Sequence, residues 1–355
     1  MVTMASEAIT GPEAWRGEEL ARSTDWIREI PSALIDEAEA ALRAVQRRGL
    51  GWREMRREDF AMPAAGRFLA GVSHELEHGR GLVLLRRLPV ERFSEEELKQ
   101  IYWGIGLHLG TPRFQNAHGE LIGEVRDEMR RYGEVYQPGV AQGPGVPATS
   151  RSKARSSGPL RFHTDRADVV GLLCVRQARS GGISKVVSTA TIHNEILRRR
   201  PDLHALLCRD YVRTREGEEM GGEQKTYALP VFGVRDGRFT SQYSRTFVEA
   251  AQRLPGIPPL TAAQNEALDL LAEVAEEQCF QMALEPGDIQ LLNNHVIYHG
   301  RTAYEDDDGA DRDRLLYRLW LSMPNSRALP PGFDVLWGSI EPGAPRGGIE
   351  QPAKR

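Results

Sequence analysis

Cysteine is scarce: three among 355 residues, Cys174, Cys208 and Cys279, with no Cys-x-x-Cys pair. An odd and widely spaced set argues against a disulfide framework and fits a reducing compartment. No apolar run approaches the ~18 residues that a membrane span needs. The opening Met-Val-Thr-Met-Ala-Ser-Glu lacks the charged start and apolar stretch of a secretion signal. The expectation is a cytoplasmic protein with no membrane partner. Positive charge is not in excess either, because 46 Lys and Arg face 50 Asp and Glu for a net charge of −4. That balance argues against a nucleic-acid surface. Internal repeats are absent too. What is present, 40% apolar residues, suffices for a sizeable core in one large domain or two. Homo-oligomerisation stays open.

Residues 17–80 carry helical spacing, as from Ser32 to Val45 and from Ala65 to Leu76, and 1–80 read as an N-terminal helical section packed on a core. Gly81-Leu-Val-Leu-Leu-Arg then reads as a buried strand, and Ser94-Glu-Glu-Glu-Leu opens a capped helix that ends near Gly106 to Gly110. Between about 137 and 158 the composition shifts to Gly, Pro, Ser and Ala, a loop or mobile lid. Strands are predicted over 161–177 and 185–188, and a helix over 191–199 that stops before Pro201. Asp236-Gly237 suits a type I′ hairpin turn, a helix follows over 261–278, and strands resume at Gln281. The tail over 325–355 is rich in Pro and Gly and shows no period. Short strands around one helical insertion, about 191–280, predict an α+β chain with a mainly β core over 81–324. The architecture expected is a distorted double-stranded β-helix, the jelly roll of cupin-like proteins, with N-terminal helices and a helical insert.

Two histidines and a carboxylate stand out. Phe-His-Thr-Asp at 162–165 places His163 and Asp165 at i and i+2, on one side of a strand. Far downstream, Asn-Asn-His-Val-Ile-Tyr-His-Gly-Arg ends an apolar strand pattern at His299, and Arg-Leu-Leu-Tyr-Arg follows at 314–318. Two histidines and one carboxylate on one face of an octahedron leave three positions open, which suits non-haem Fe(II) chemistry. At this point the chain resembles the taurine dioxygenase-like (TauD/TfdA) family of Fe(II)/2-oxoglutarate-dependent oxygenases, from about Gly81 to Pro324.

The resemblance implies that His163, Asp165 and His299 hold Fe(II), and that an arginine anchors the distal carboxylate of 2-oxoglutarate. A guanidinium does this through two parallel donors. Arg318 is favoured, being deeper in Leu-Leu-Tyr-Arg-Leu-Trp-Leu, and Arg314 competes, since i and i+4 keep strand parity. Ser184 follows a Gly-Gly turn where the family usually has Thr, a mild departure that keeps the hydroxyl. His295, four residues before His299, sits in a strand pattern and reads as a bystander; His74 and His78 read as a solvated helix face. Gln115, Phe162 and Arg155 are the candidates for substrate contact. Phe162 would be an apolar wall, and Arg155 or Lys153 at the end of the lid would meet an anionic group.

What the resemblance implies for function is a dioxygenase, an oxidoreductase that consumes O2 and 2-oxoglutarate, releases succinate and CO2, and oxidises a small molecule, anionic if the lid arginine takes part. Asp165 fills the position that halogenating relatives leave for chloride, so hydroxylation is favoured. Desaturation, cyclisation and demethylation use the same ligands. The competing readings are a cupin-like metal-binding or regulatory protein without turnover, and a zinc hydrolase, for which no general base is evident.

Overall fold

A computed structural model describes residues 7–128, 155–215, 219, 223–307 and 313–349. Ser32–Arg47 is helical and buries Leu34, Ala38, Ala41, Leu42 and Val45, a spacing of three and four that lines one face. Ala65–His78 buries Leu69, Val72 and Leu76 in the same way, with His74 and His78 exposed. Glu95–Leu109 starts at a capping box in which Glu97 N donates to Ser94 Oγ at 3.3 Å and Ser94 N donates to Glu97 Oε2 at 3.0 Å. These helices share one apolar cluster with Val83, Leu85, Leu173, Ile289 and Leu319 of the larger sheet.

That sheet has seven strands, running from Ile27–Glu29 through Leu82–Arg86, Ile289–Asn293, Val169–Arg176 and Leu315–Ser322 to Thr111–Pro112. Ile122–Val125 also pairs with Leu315–Ser322. All pairings are antiparallel except that of Ile27–Glu29 with Leu82–Arg86. Three residues are too few to show a strand period, so the helical reading of residues 1–80 missed that edge. Leu82–Arg86 sends Val83 and Leu85 to the helices and Leu82 and Leu84 to the opposite face. Burial on both faces explains its unbroken apolar run.

The second sheet has four antiparallel strands, in the order Phe280–Met282, Ser184–Ser188, Ile297–Arg301, Leu160–His163. Val186 and Ile297 from this sheet meet Leu82, Val170, Leu292, Leu316 and Trp320 from the first in one core, so the sheets pack face to face. The outer face carries Phe162, Val187 and Tyr298, which are covered by the segment between Thr189 and Gln278. That segment folds as helices Thr189–Arg199, Pro201–Leu207, Arg245–Ala251 and Ala262–Gln278, with two small antiparallel pairs between them. In the second pair Asp236 and Gly237 turn at φ 52° and 71°, as a type I′ turn requires.

The C-terminal stretch is not loose. Leu329, Phe333, Leu336 and Trp337 pack with Tyr227 and Leu229, and Asp334–Trp337 forms a short helix. Arg346, fully buried, donates from Nε to Asp168 Oδ1 at 2.7 Å and from Nη1 to Arg327 O at 2.7 Å. Single aromatic and arginine anchors leave no sequence period, which is why composition alone suggested an irregular tail. Among the described residues no helix is long and apolar enough to cross a membrane.

Candidate metal centre

His163 and His299 stand directly opposite one another, on the neighbouring antiparallel strands Leu160–His163 and Ile297–Arg301. Their rings are 4.3 Å apart. This cross-strand pair fixes two donors at once, just before the register of the two strands shifts between His299 and Arg301. Asp165 arrives differently from the expectation of strand parity, because its strand ends at His163 and the carboxylate lies just beyond it. Asp165 N donates to Asn294 Oδ1 at 3.0 Å, and Asn294 Nδ2 donates to Ala167 O at 2.9 Å, so one asparagine pins the loop. Trp320 Nε1, from the larger sheet, donates to Asp165 Oδ2 at 2.9 Å.

The three side chains are buried, and their ligand atoms all lie within 4.8 Å of one another. Nε2 of His163 is 3.7 Å from Asp165 Oδ1, and Nε2 of His299 is 3.8 Å from Oδ2. His163 Nδ1 is 3.0 Å from Arg161 O, a bond that places the proton on Nδ1 and leaves the Nε2 lone pair free for a metal. His299 Nδ1 has no hydrogen-bond partner among the described residues. Burial pushes the imidazolium pKa of His163 down and that of His299 to about 3. Burial works against the charged form of Asp165, while the nearby Arg318 guanidinium and the hydrogen bond from Trp320 favour it, and the carboxyl is held below its usual range. Neutral imidazoles beside an ionised carboxylate are what a divalent metal needs. The donor set fits Fe(II).

Two cavities meet at these ligands, sharing His163 and Arg318. The inner one is lined by Ser184, Leu172, Arg301, Arg314 and Leu316, and the outer one by Arg166, Arg215, Tyr227, Gln242, Trp320 and Leu336. Arg314, Leu316, Arg318 and Trp320 follow strand parity along one face. Arg318 sits at the metal end: Nη1 is 3.9 Å from Asp165 Oδ1 and Nε donates to Gln115 Oε1 at 2.6 Å. Four residues of extended chain, roughly 13 Å, separate it from Arg314. Arg314 lies over the Tyr304 ring at 5.0 Å; among the described residues no carboxylate is in ion-pair contact with it, and its Nη1 has no hydrogen-bond partner. Its backbone N, not Arg318, meets the acidic run, donating to Asp306 Oδ1 at 2.9 Å.

The candidate substrate residues are placed elsewhere. Phe162 alternates away from His163 and joins the outer cluster with Val187 and Tyr298, so it is no wall of the metal site. Arg155 pairs with Glu128 and Glu120, which takes up its charge. Gln115 is a support, because its amide donates to Arg318 O at 2.8 Å while accepting from Arg318 Nε. Most of the expected lid, residues 137–154 including Lys153, lies outside the described residues. Ser184 Oγ donates to Gln290 Oε1 at 3.0 Å at the rim of the inner cavity. His295 bonds Asp168 at 2.8 Å and Thr240 at 2.9 Å, away from the triad.

Reading the sequence missed Arg301, Trp320 and Asn294. The first two stand two residues after His299 and Arg318, so parity alone could have found them. Nothing local marks Arg166, Arg215 or Leu336, which tertiary folding brings to the outer cavity.

Comparison with known proteins agrees with this geometry. Residues 50–320 match the model of the family described as taurine catabolism dioxygenase TauD, TfdA family. FR-33289 synthase of Streptomyces rubellomurinus is 30% identical over 344 residues, covering 95% of this chain and 97% of that protein. The taurine hydroxylase-like protein SAT17 of Stachybotrys chartarum is 29% identical over 330 residues, covering 90% of this chain and 81% of its own length. The structure of an asparagine oxygenase in complex with Fe(II), 3-hydroxyasparagine and succinate superposes with a TM-score of 0.60 at 18% identity, over 84% of this chain and 93% of that one. The chain belongs to the TauD/TfdA family and is a non-haem iron, 2-oxoglutarate-dependent dioxygenase.

Proposed function

We propose that this protein hydroxylates a small molecule at the junction of the two cavities, with Fe(II) held by His163, Asp165 and His299 and 2-oxoglutarate lying in the inner cavity. The observation that carries the reading is the pairing of the His–Asp–His cluster with a buried arginine, Arg314, at the other end of one cavity, whose Nη1 has no hydrogen-bond partner and whose guanidinium has no ion-paired carboxylate among the described residues. A guanidinium buried without an anion is costly unless a ligand supplies one. Arg314, not Arg318, is therefore our choice for the distal carboxylate, with Ser184 as the neighbouring hydroxyl. Arg318 is tied to Gln115 and faces Asp165, so it belongs to the metal end.

Iron and 2-oxoglutarate together supply an oxidation that consumes O2 and releases succinate and CO2. The chain's own residues bind and orient. Arg161 O fixes the His163 tautomer, Trp320 and Asn294 hold Asp165, and apolar residues such as Leu172 and Leu316 keep bulk water out of the inner cavity. Asp165 occupies a ligand position, which favours hydroxylation over halogenation. The two facing sheets are best read as a distorted double-stranded β-helix spanning about 81–324. The N-terminal helices pack on it, and the 325–349 segment closes the outer cavity through Leu336.

The test is succinate formation from 2-oxoglutarate with Fe(II) and air, against amino acids, sulfonates and other small acids. Stimulation by one compound, lost without Fe(II) or O2, supports the reading. Absence of any iron-dependent succinate, with or without those compounds, refutes it.

A further inference from the structure

The outer cavity holds polar atoms that metal and cosubstrate do not use. Among the described residues, Nε of Arg166, Nε of Arg215 and Oε1 of Gln242 are buried without a hydrogen-bond partner, and all three residues line that cavity. Arg215 is 4% exposed, as is Gln242. Arg215 follows the strand Tyr211–Thr214; its Nη2 donates to Val335 O at 2.8 Å and its Nη1 pairs with Glu223 Oε1 at 2.7 Å. Arg166, next to the ligand Asp165, reaches the same Glu223 oxygen at 3.0 Å. One carboxylate oxygen therefore serves two guanidiniums. Tyr227 backs Arg215 at 4.6 Å from its ring centroid, and Gly348 N donates to Arg166 O at 2.6 Å, so both arginines are held in place.

Two guanidiniums against one shared carboxylate oxygen leave the Nε–H donors of Arg166 and Arg215 with no partner among the described residues. The remaining arginine of the cavity, Arg318, is already engaged by Gln115 and faces Asp165. We infer that the substrate is a small anion whose acid group is bound by Arg166 and Arg215, with the amide of Gln242 meeting a polar group of the same molecule. The inference rests on the oxygenase reading above and names the substrate class of that site. The acid group has two or more oxygens able to accept from guanidinium donors, as a carboxylate, a sulfonate, or a phosphate or phosphonate does. Its far end then lies toward His163 and Asp165, which line the same cavity.

The experiment titrates acetate, methanesulfonate and inorganic phosphate by calorimetry into protein loaded with Mn(II) and 2-oxoglutarate without O2. At least one is expected to bind saturably, and Arg215→Gln to weaken it about tenfold or more, the loss of one charge-assisted hydrogen bond. Glu223→Gln removes the competing charge and tightens the same anion. A lead for phosphate and methanesulfonate assigns a tetrahedral group; a lead for acetate assigns a carboxylate. The proposal is overturned if none of the three binds, if Arg215→Gln binds as the parent does, or if Glu223→Gln weakens binding as much as Arg215→Gln, the mark of a purely structural brace. Failure of 2-oxoglutarate to bind the Mn(II) protein would instead strike the oxygenase reading, and the same anions titrated without Mn(II) and 2-oxoglutarate then judge the arginine pair by those three outcomes.

Discussion

Replacing Arg314 by alanine removes the buried guanidinium at the inner end of the cosubstrate cavity while leaving the metal ligands untouched. The backbone bond from Arg314 N to Asp306 Oδ1 survives the change. Among the described residues no carboxylate is ion-paired with this guanidinium, so the fold loses chiefly its contact with the Tyr304 ring. The cosubstrate, in contrast, loses a bidentate, charge-assisted contact worth about 2–5 kcal/mol. That corresponds to a drop in 2-oxoglutarate affinity of roughly 30- to 4,000-fold. Arg314→Lys keeps the charge but not the fork and falls between. Arg318→Ala acts at the metal end, 3.9 Å from Asp165, and costs 2-oxoglutarate less. Calorimetric titration of 2-oxoglutarate into each Mn(II)-loaded variant without O2 gives the ranking, with thermal melts as a control on folding. A greater loss in Arg318→Ala than in Arg314→Ala would refute the assignment.

Other outcomes follow from single contacts. Gly182 turns at φ 65° and a Cβ there would sit 3.1 Å from Arg314 Nε, so Gly182→Ala should cost about 1–2 kcal/mol of stability and weaken 2-oxoglutarate binding several-fold by displacing that arginine, as denaturant melts and titration would show. Arg346→Met leaves the buried Asp168 carboxylate its hydrogen bonds to His295 and Met323 N but removes its charge partner, and should destabilise by about 3–5 kcal/mol in denaturant unfolding; with Asp168→Asn added, the double variant should lose less than the sum. His204 packs against His193 and Phe232, and burial pushes its pKa down to about 4. Since the folded pKa lies below the unfolded one, the neutral ring's contribution is full above about pH 6.5 and is lost as pH falls through about 4. It amounts to about 2 kcal/mol between pH 7 and 5. His204→Phe should therefore shrink the difference between denaturant midpoints at those two pH values, and an unchanged difference would contradict it.

Much of the arrangement was legible in the chain. His163, Asp165 and His299 announce themselves because a metal needs few residue types in tight local patterns, and the Ser94 cap, the Asp236-Gly237 turn and the Thr261-capped helix are short-range devices written where they act. Choosing between Arg314 and Arg318 was not possible from parity, since both face the same way; our proposal of Arg314 rests on the contacts of Arg318 with Asp165 and Gln115, which no local pattern announces. Phe162 was misplaced because adjacency to His163 in sequence means the opposite face in a strand. Arg155 misled for a different reason, since its charge is spent on Glu120 and Glu128, both distant in sequence. The outer cavity is built from residues such as Arg166, Arg215 and Leu336 that come from three separate segments, so no local pattern marks it.

The most direct measurement is a crystal structure of the protein with Mn(II) and 2-oxoglutarate, grown without O2. It should place one metal on Nε2 of His163, Nε2 of His299 and the Asp165 carboxylate, with the distal carboxylate of 2-oxoglutarate on Arg314. Metal bound elsewhere, or 2-oxoglutarate outside the cavity between these ligands and Arg314, would contradict the assignment.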